Sequence, residues 1–321
     1  MAVDEVLALV RGEGLLAGPE PVVAMISGGR DSTCLLDVAV ALRGPDAVSA
    51  LHVNYGLRPE ADADERKCAA DCERLGVELE LVAAAREDDG GNLQAWARDE
   101  RYAAGERAAG ARGALLAAGH TLDDQAETIL YRLAASPGRR ALLGMPARDG
   151  RLVRPLLGVT REQTTAYCEE RALDWREDSS NSDERFARAR VRSGLVPALR
   201  DVHPSARDNV ARTARLLREE TELLDALVDA ELAGRASVMA ERLAQMPPAL
   251  ARLVLVRLAE DAVGDYVPQA GERVGEIVAL ARRGGRAELH VGGRAGAVIE
   301  RGAVRFVELP PREPRPGGAA G

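Results

Sequence analysis

The stretch VVAMISGGRDSTCLLDVAVAL, residues 22–42, changes from one regular structure to another within a few residues. Its first five residues predict a buried β-strand, and the apolar residues after Ser32 recur at helical spacing. Between them stands SGGRDS, in which Gly28 and Gly29 let the backbone turn its N–H groups outward, next to a helix N-terminus. This arrangement predicts an anion site, most simply for a phosphate. The alternative is a tight turn with Asp31 or Ser32 as the helix cap.

Other phosphate-binding motifs do not fit this stretch, because it contains neither GxxxxGK[ST] nor GxGxxG. The chain has 43 basic residues, of which only Lys67 is a lysine. Lys67 lies in the charged segment DADERKCAADCERLG and is expected on the solvated surface. We therefore expect a phosphate here to be held by backbone N–H groups, hydroxyls, arginines and a metal ion.

The length of 321 residues and the hydrophobic content of 46% predict two domains with buried cores. The start MAVDEVLALVRGEG carries acids where a secretory signal would be basic, and no apolar run is long enough to span a bilayer. These features predict a cytoplasmic protein with no membrane partner. The four cysteines form no CxxC motif and are expected to be packing residues. Cys68 and Cys72 lie one helical turn apart, so a metal-binding pair is the alternative.

The formal net charge of −8 is unevenly distributed along the chain. Residues 185–200, RFARARVRSGLVPALR, hold five arginines and no acid, and residues 132–161 hold seven arginines and one aspartate. Such strips on an acidic body are suited to the phosphates of a nucleic acid. The alternative is an ordinary solvated helix face.

Strand-like and helix-like segments alternate in the first two thirds of the chain, which predicts a parallel sheet covered by helices on both faces. The predicted strands are residues 22–27, 47–54, 78–82 and 114–120. Ligands bind beyond the carboxyl ends of such strands. SGGRDS, His52 to Asn54 and Gly119 to His120 all follow strands, so we expect them to meet at one crevice.

The composition changes near His203-Pro204, where a long amphipathic helix begins. Further helical stretches follow, and then short strands with glycine turns. We therefore predict a first domain over residues 1–202, a smaller α+β domain over 203–310, and a disordered Pro/Gly-rich tail over 311–321.

The segment GHTLDDQAETILYRL, residues 119–133, predicts a helix with two different faces. An apolar stripe expected in the core consists of Leu122, Ala126, Ile129, Leu130 and Leu133. On the other face, His120, Asp124 and Glu127 follow one another at spacings of four and three residues. They are either decoration of the helix start or a site in which two carboxylates hold an ammonium group.

Together these segments resemble a known family. SGGRDS is similar to the pyrophosphate-binding loop of the PP-loop ATPases, which adenylylate a carbonyl oxygen with ATP. Within that superfamily, blocks between residues 20 and about 200 resemble, in order, those of the tRNA(Ile)-lysidine synthetases: LHVNYGLRPEADADE, ARDERY, GHTLDDQAETILYRL, RPLL and WREDSSNSDERFARARVR. The resemblance implies an α/β parallel-sheet domain of the adenine nucleotide alpha hydrolase type and a smaller α+β C-terminal domain that binds tRNA.

The resemblance also implies a reaction. Cytosine O2 at the wobble position of a tRNA(Ile) with anticodon CAU attacks the α-phosphate of ATP, and free L-lysine then displaces AMP. The implied ATP-binding residues are Ser27, Gly28, Gly29, Arg30, Asp31, Ser32, His52 and Gly119. The implied catalytic residues are Asp31, Arg101, His120 and Asp124. Lysine would be bound by Asp124 and Glu127, tRNA by Arg188, Arg190 and Arg192, and Mg²⁺ by Asp31.

The chain departs from the family pattern at two positions. NYGLR has Tyr55 where the family has His, and Ala189 stands where the family has Asn after Arg188. The alternatives are another PP-loop enzyme that modifies tRNA or forms an amide, and a catalytically weakened tRNA-binding paralogue. The sequence leaves the oligomeric state open, and a homodimer is one expectation.

Overall fold

The protein is described here by a computed structural model, which covers residues 1–56, 61–84, 93–135, 138–176 and 187–310. The chain divides into two compact units, Met1–Arg215 and Leu216–Gly321. The division falls inside the helix Ala206–Leu232, whereas the change of composition marks the start of that helix. The predicted boundary near residue 203 and the role of the second unit in tRNA binding stay predictions, and the predicted tail lies outside the described residues.

A six-stranded sheet forms the centre of the first unit. Its strands are β1 (Val22–Met25), β2 (Val48–Asn54), β3 (Glu78–Ala83), β4 (Leu115–Ala117), β5 (Arg148–Asp149) and β6 (Leu152–Val153). The strand order is β3-β2-β1-β4-β6-β5, in which only the edge strand β5 is antiparallel to its neighbour. The predicted parallel sheet is therefore confirmed, and the short β5–β6 hairpin is an addition to it.

Helices cover both faces of this sheet. The described α-helices that lie wholly within this unit are α1 (Ala2–Glu13), α2 (Arg30–Arg43), α3 (Ala61–Leu75), α4 (Leu93–Arg112), α5 (Leu122–Ala135), α6 (Arg139–Leu142), α7 (Arg161–Glu170), α8 (Ala187–Arg190) and α9 (Val196–Val202). Alternate residues of β1 lie in two different cores: Val22 and Ala24 pack with α2 and α7, and Val23 and Met25 pack with α4. Burial on both faces explains why β1 is apolar throughout.

The connection from the carboxyl end of β1 leads to β2 on one side, whereas the connection from the carboxyl end of β4 leads to the β5–β6 hairpin on the other side. The carboxyl ends of β1 and β4 therefore flank a topological switch point, where parallel sheets bind ligands. SGGRDS follows β1, and Gly119 and His120 follow β4. That these two segments and His52 to Asn54 form one crevice stays a prediction.

The described residues of the second unit form a four-stranded antiparallel sheet and several helices, of which the first is the C-terminal part of α10 (Ala206–Leu232). The sheet has the order β7-β10-β9-β8. In chain order, the strands and α-helices that follow α10 in this unit are β7 (Ser237–Met239), α11 (Ala240–Gln245), α12 (Pro248–Val263), α13 (Val274–Arg283), β8 (Arg286–Gly292), β9 (Ala295–Glu300) and β10 (Ala303–Glu308). This arrangement agrees with the predicted helical and then β-stranded domain.

Two local expectations were wrong. Lys67 is not on the solvated surface: its side chain is 17% exposed and its Nζ lies 2.5 Å from Asp71 Oδ2. Leu133 does not belong to the core stripe of α5 but is 54% exposed, because the last turn of α5 reaches the surface. Ala126 and Ile129 of the same stripe are buried as expected.

No helix among the described residues is long and apolar enough to cross a membrane. All four cysteines are free and buried. Burial raises the pKa of Cys68 to about 12 and that of Cys72 to about 11, so both thiols stay protonated.

Candidate active site

The loop between β1 and α2 has the geometry of an anion cradle. Gly28 has φ +76°, a conformation that other residues rarely adopt. Gly29 is the N-cap residue of α2 and has no side chain to cap it, so the first N–H groups of the helix remain available to a ligand. Within the loop, the Ser27 N–H donates to Ser32 Oγ over 3.1 Å, and the Ser32 hydroxyl donates to the Gly29 carbonyl over 2.8 Å.

Asp31 connects this loop to α7. Its Oδ1 accepts a hydrogen bond from the Thr164 hydroxyl over 2.6 Å, and the Arg30 Nε–H donates to the same oxygen over 3.0 Å. Arg30 Nε also lies 3.1 Å from Thr164 Oγ1. Thr164 is fully buried. The first turn of α2 is thereby fixed against the first turn of α7.

Gly119 allows β4 to end against the start of α2. A Cβ atom at this position would lie 3.0 Å from the Asp31 carbonyl oxygen and 3.4 Å from Ser32 Cα, so a larger residue would push backbone against backbone. His52 lies behind the loop, only 5% exposed, with Nδ1 3.0 Å from the Ile26 carbonyl oxygen. Its predicted contact with ATP stays a prediction.

The two carboxylates predicted to hold an ammonium group lie together, but an arginine joins them. Arg161 Nη2 donates to Asp124 Oδ1 over 2.5 Å, and its Nη1 donates to Glu127 Oε1 over 2.6 Å. The second oxygen of Asp124 accepts hydrogen bonds from the N–H and the hydroxyl of Thr121, at 2.8 and 3.0 Å. Among the described residues, no group donates to Glu127 Oε2. Both carboxylate oxygens of Asp124 thus accept hydrogen bonds, whereas Oε2 of Glu127 remains available to accept one from a ligand.

The two carboxylates differ in acidity. Burial alone would raise the pKa of Asp124, but the Arg161 charge and the Thr121 hydrogen bonds hold that pKa below its ordinary value. Burial raises the pKa of Glu127 above its ordinary value, although Arg161 opposes the shift. Of the two, Glu127 is thus the better proton acceptor.

Three buried nitrogen atoms lie just beyond β4 and β6 and on α4. They are His120 Nδ1, Arg101 Nε and Arg154 Nε, and none of them has a hydrogen-bond partner among the described residues. Burial lowers the pKa of His120 to about 3; the charge of Asp124 opposes this shift, and the positive charges of Arg154 and Arg101 add to it. His120 is therefore neutral at physiological pH, and its imidazole can donate one N–H to an oxygen of a ligand.

Replacing His120 by Gln is expected to reduce the loss of stability in acid. The folded protein leaves His120 neutral down to about pH 3, whereas the unfolded chain protonates it below about pH 6.5. Stability attributable to this group therefore falls as the pH drops from about 6.5 to about 3, by at most about 1.4 kcal/mol per pH unit. Urea unfolding across this range measures the slope. The variant His203→Gln, at an exposed histidine, should keep the wild-type slope, and equal slopes for all three proteins would contradict the assignment.

The predicted tRNA-binding arginines lie on α8 and on the π-helical turn Val191–Leu195 that follows it. Arg188 and Arg190 are exposed. Arg188 Nη2 lies 3.4 Å from Thr128 Oγ1, and Arg192 Nε lies 3.8 Å from Glu127 Oε1. The strip is therefore adjacent to the carboxylates of α5. Of the block WREDSSNSDERFARARVR, residues 177–186 lie outside the described part of the chain.

The two departures from the family pattern can also be located. The Tyr55 ring meets the Trp96 ring edge-on, with centroids 5.8 Å apart, so Tyr55 packs against α4. Ala189 lies on α8 between Arg188 and Arg190, and its carbonyl accepts a hydrogen bond from the Ser193 hydroxyl. Their effect on function stays open.

Sequence reasoning missed Arg161, Thr164 and the charge environment of Arg154. Thr160 and Gln163 form a reciprocal capping box at the start of α7, with each side chain bonded to the other residue's N–H. The spacing Thr-x-x-Gln is a sequence signal for a helix start and locates the first turn of α7. This signal could have shown that Arg161 and Thr164 lie on the same helical turn. It could not have shown which residues they contact.

Comparisons with known proteins show the family to which the chain belongs. Residues 7–199 match the family described as the PP-loop domain, which is the class that the sheet and the glycine loop define and which implies ATP binding. The tRNA(Ile)-lysidine synthase of Nocardia farcinica is 42% identical over 243 residues, which are 74% of this chain and 75% of that protein. The chain belongs to the tRNA(Ile)-lysidine synthase family, as its sequence blocks predicted.

Other relatives match a smaller share of their own length. The tRNA(Ile)-lysidine synthase of Pseudomonas fluorescens is 44% identical over 213 residues, 64% of this chain and 48% of that protein. The chain thus spans about half the length of the pseudomonad relatives that it matches. A solved structure, the U34-tRNA thiolase of Methanococcus maripaludis with its 4Fe-4S cluster, has a TM-score of 0.58 and 20% identity, over 68% of this chain and 79% of that one. At this identity the likeness concerns the fold alone.

Proposed function

We propose that the chain is an ATP-dependent ligase that converts the wobble cytidine of a tRNA(Ile) with anticodon CAU into lysidine, using free L-lysine. One observation carries the proposal: an uncapped glycine loop at the switch point of the sheet and a carboxylate pair on α5 are joined by one turn of α7. The loop is suited to phosphates and the carboxylates to an amine, which are the two ligands that the reaction needs.

In this proposal the loop binds the β- and γ-phosphates of ATP. The N–H groups of Gly28, Gly29 and the first turn of α2 point at the phosphate oxygens and stabilise the departing pyrophosphate. The Ser32 hydroxyl takes part after exchanging its bond to the Gly29 carbonyl for one to a phosphate oxygen.

A magnesium ion fits the donor set around Asp31. Among the described residues no group of three or more His, Cys, Asp or Glu is placed to hold a metal ion, and Asp31 is the carboxylate at the loop. Mg²⁺ is typically held by one or two carboxylates together with substrate phosphates, which matches a single aspartate. When bound, the ion would neutralise phosphate charge. Asp31 would have to exchange Arg30 for it.

The groups at the end of β4 are assigned to the α-phosphate. Cytosine O2 attacks the α-phosphorus of ATP, and pyrophosphate leaves. The unpaired Nε of Arg101 and the neutral imidazole of His120 can each donate a hydrogen bond to an α-phosphate oxygen as charge develops there.

The lysine substrate is assigned to the carboxylate pair. Its ammonium group binds at Oε2 of Glu127, while Asp124, held by Arg161 and Thr121, adds negative charge beside it. The amine must lose a proton before it attacks C2 of cytosine and displaces AMP. The raised pKa of Glu127 makes this carboxylate the proton acceptor that the geometry favours.

The arginine strip of α8 is assigned to the tRNA backbone. Replacing Arg188 and Arg190 by Ala is expected to reduce the slope of log K for tRNA against log salt by about 1.5, because each phosphate contact contributes about 0.7 to 0.9. Filter binding at several salt concentrations measures the slope. The charge-matched control, Arg11→Ala with Arg107→Ala on exposed positions of α1 and α4, should leave the slope unchanged. An unchanged slope in the strip variant would make the strip an ordinary solvated face.

The proposal is tested with an unmodified tRNA(Ile) transcript, ATP and radiolabelled lysine, measuring pyrophosphate release and lysine incorporation separately. The wild type should release one pyrophosphate for each lysine incorporated. Glu127→Gln should release pyrophosphate in a first turnover but need more lysine for incorporation, whereas Glu162→Gln, a control on α7, should behave as wild type. Pyrophosphate release without lysine incorporation would indicate another PP-loop reaction, and tRNA binding without pyrophosphate release a nonenzymatic paralogue.

The remaining assignments belong to the same proposal. The second unit, from Leu216 onward, would contribute to selection of the tRNA. A cytoplasmic location would give the protein access to ATP, lysine and tRNA. A homodimer stays an open expectation.

A further inference from the structure

Arg154 is a buried cation. Its side chain is only 6% exposed, its Nη1 donates to the Pro146 carbonyl over 2.7 Å, and its Nε has no partner in the part of the chain that the structure describes. No carboxylate of the described residues forms an ion pair with it. A buried guanidinium is normally paired, because removing the charge from water costs several kcal/mol.

Arg154 lies at the edge of the sheet where the proposed nucleotide site is, so a ligand there could compensate its charge. It directly follows β6, which pairs in parallel with β4, and the Ala118 N–H donates to the Val153 carbonyl over 3.0 Å. Arg154 therefore lies at the same carboxyl edge as Gly119 and His120. The nearby carboxylate of Asp124 is already engaged by Arg161 and Thr121.

Arg154 also acts on the same imidazole as two other arginines. The positive charges of Arg154, Arg101 and Arg98 all contribute to the low pKa of His120. Arg101 lies 5.6 Å from the Tyr102 ring centroid and Arg98 4.8 Å from it. The edge of the sheet thus has an excess of positive charge around a neutral histidine.

We infer that Arg154 is a ligand of the α-phosphate, binding it first in ATP and then in the adenylyl group, and that the charge of Arg154 remains uncompensated until this phosphate enters. The part of the inference that concerns the adenylyl group rests on the proposed function. The part that concerns nucleotide binding does not. It separates two anion sites: the glycine loop for the β- and γ-phosphates, and the edge formed by Arg154, His120 and Arg101 for the α-phosphate.

The test is equilibrium binding of AMP and of inorganic pyrophosphate, measured separately by calorimetry on the full chain. Arg154→Lys and Arg154→Met should bind AMP at least about tenfold more weakly than the wild type, which corresponds to the loss of one charge-assisted hydrogen bond. Both should bind pyrophosphate within about twofold of the wild type, because pyrophosphate binds at the glycine loop. The control Arg151→Gln, at an exposed arginine three residues earlier, should bind both ligands as the wild type does.

The melting temperature of the ligand-free protein is a second readout. If the role of Arg154 is to bind phosphate, the ligand-free Arg154→Met variant should melt at or above the wild-type temperature, because the substitution removes a buried charge that has no ionic partner. A structural arginine would lower it. The inference is overturned if either variant keeps the wild-type AMP affinity, or loses AMP and pyrophosphate binding together. A wild type that binds both ligands but incorporates no lysine would instead overturn the proposed function.

Discussion

Replacing Asp31 by Ala is expected to lower the rate of pyrophosphate release in a first turnover by about 10²- to 10³-fold, the usual effect of removing one preorganised contact to developing charge. Asp31 lies in the first turn of α2, directly behind the glycine loop, and Thr164 and Arg30 fix its carboxylate. Without the carboxylate, the loop would lose the ligand that we propose for Mg²⁺, and Arg30 would lose its partner beside the proposed phosphate site. Rapid quenching with ATP and excess tRNA transcript measures the rate.

The fold should survive this change. The Thr164 hydroxyl keeps the Arg161 carbonyl as an acceptor at 3.1 Å, so we expect a loss of only about 1 kcal/mol in the free energy of unfolding. Asp31→Asn keeps an acceptor for Thr164 and isolates the role of the charge. Asp46→Ala, at an exposed aspartate near the other end of α2, is the matched control. A folded Asp31→Ala protein with wild-type release would contradict the phosphate-loop interpretation.

Replacing Arg161 by Leu is expected to lower the free energy of unfolding of the first unit by about 3–5 kcal/mol, because the change leaves two largely buried carboxylates without their shared cation. The side chains of Arg161 and Glu127 are 15% and 10% exposed, so solvent screens this pair little. Urea unfolding followed by circular dichroism measures the change.

Arg200→Leu is the control for this prediction. Arg200 is 49% exposed and pairs with the exposed Glu162 at 3.2 Å, so its removal should cost no more than about 1 kcal/mol. The triple variant Arg161→Leu, Asp124→Asn, Glu127→Gln should recover most of the lost stability, since it removes the unpaired charges. Equal losses for Arg161→Leu and Arg200→Leu would show that the buried network contributes little.

The parallel sheet could be predicted because its strands are short apolar runs followed by turn residues. Val22 to Met25 are buried on both faces, and this double burial is visible in the sequence as uninterrupted hydrophobicity. The β5–β6 hairpin could not be predicted in the same way, because each strand has two residues and no recognisable pattern. The unit division inside α10 was also hidden, because one continuous helix crosses it.

Helical spacing located Asp124 and Glu127 on one face of α5 but could not reveal their partner. Arg161 lies 34 residues beyond Glu127 in the chain, and only the tertiary fold brings the start of α7 beside α5. Spacing also presented Leu133 as a core residue, whereas it is exposed, and spacing gave no indication that Glu127 is buried. A polar residue that a tertiary ion pair draws inward cannot be distinguished from a surface residue by periodicity alone.

The first turn of α7 contacts both parts of the proposed site, and this limits where residues can be inserted into or deleted from the chain. Arg161 contacts the carboxylates of α5, and Thr164 contacts Asp31, three residues apart on one helix. Each residue inserted into a helix rotates everything beyond it by about 100°. One extra residue between them would turn Thr164 away from the glycine loop while Arg161 stayed in place. The spacing of three residues between Arg161 and Thr164 is therefore fixed by the contacts at its two ends. Exposed side chains within this turn can vary, but the number of residues cannot.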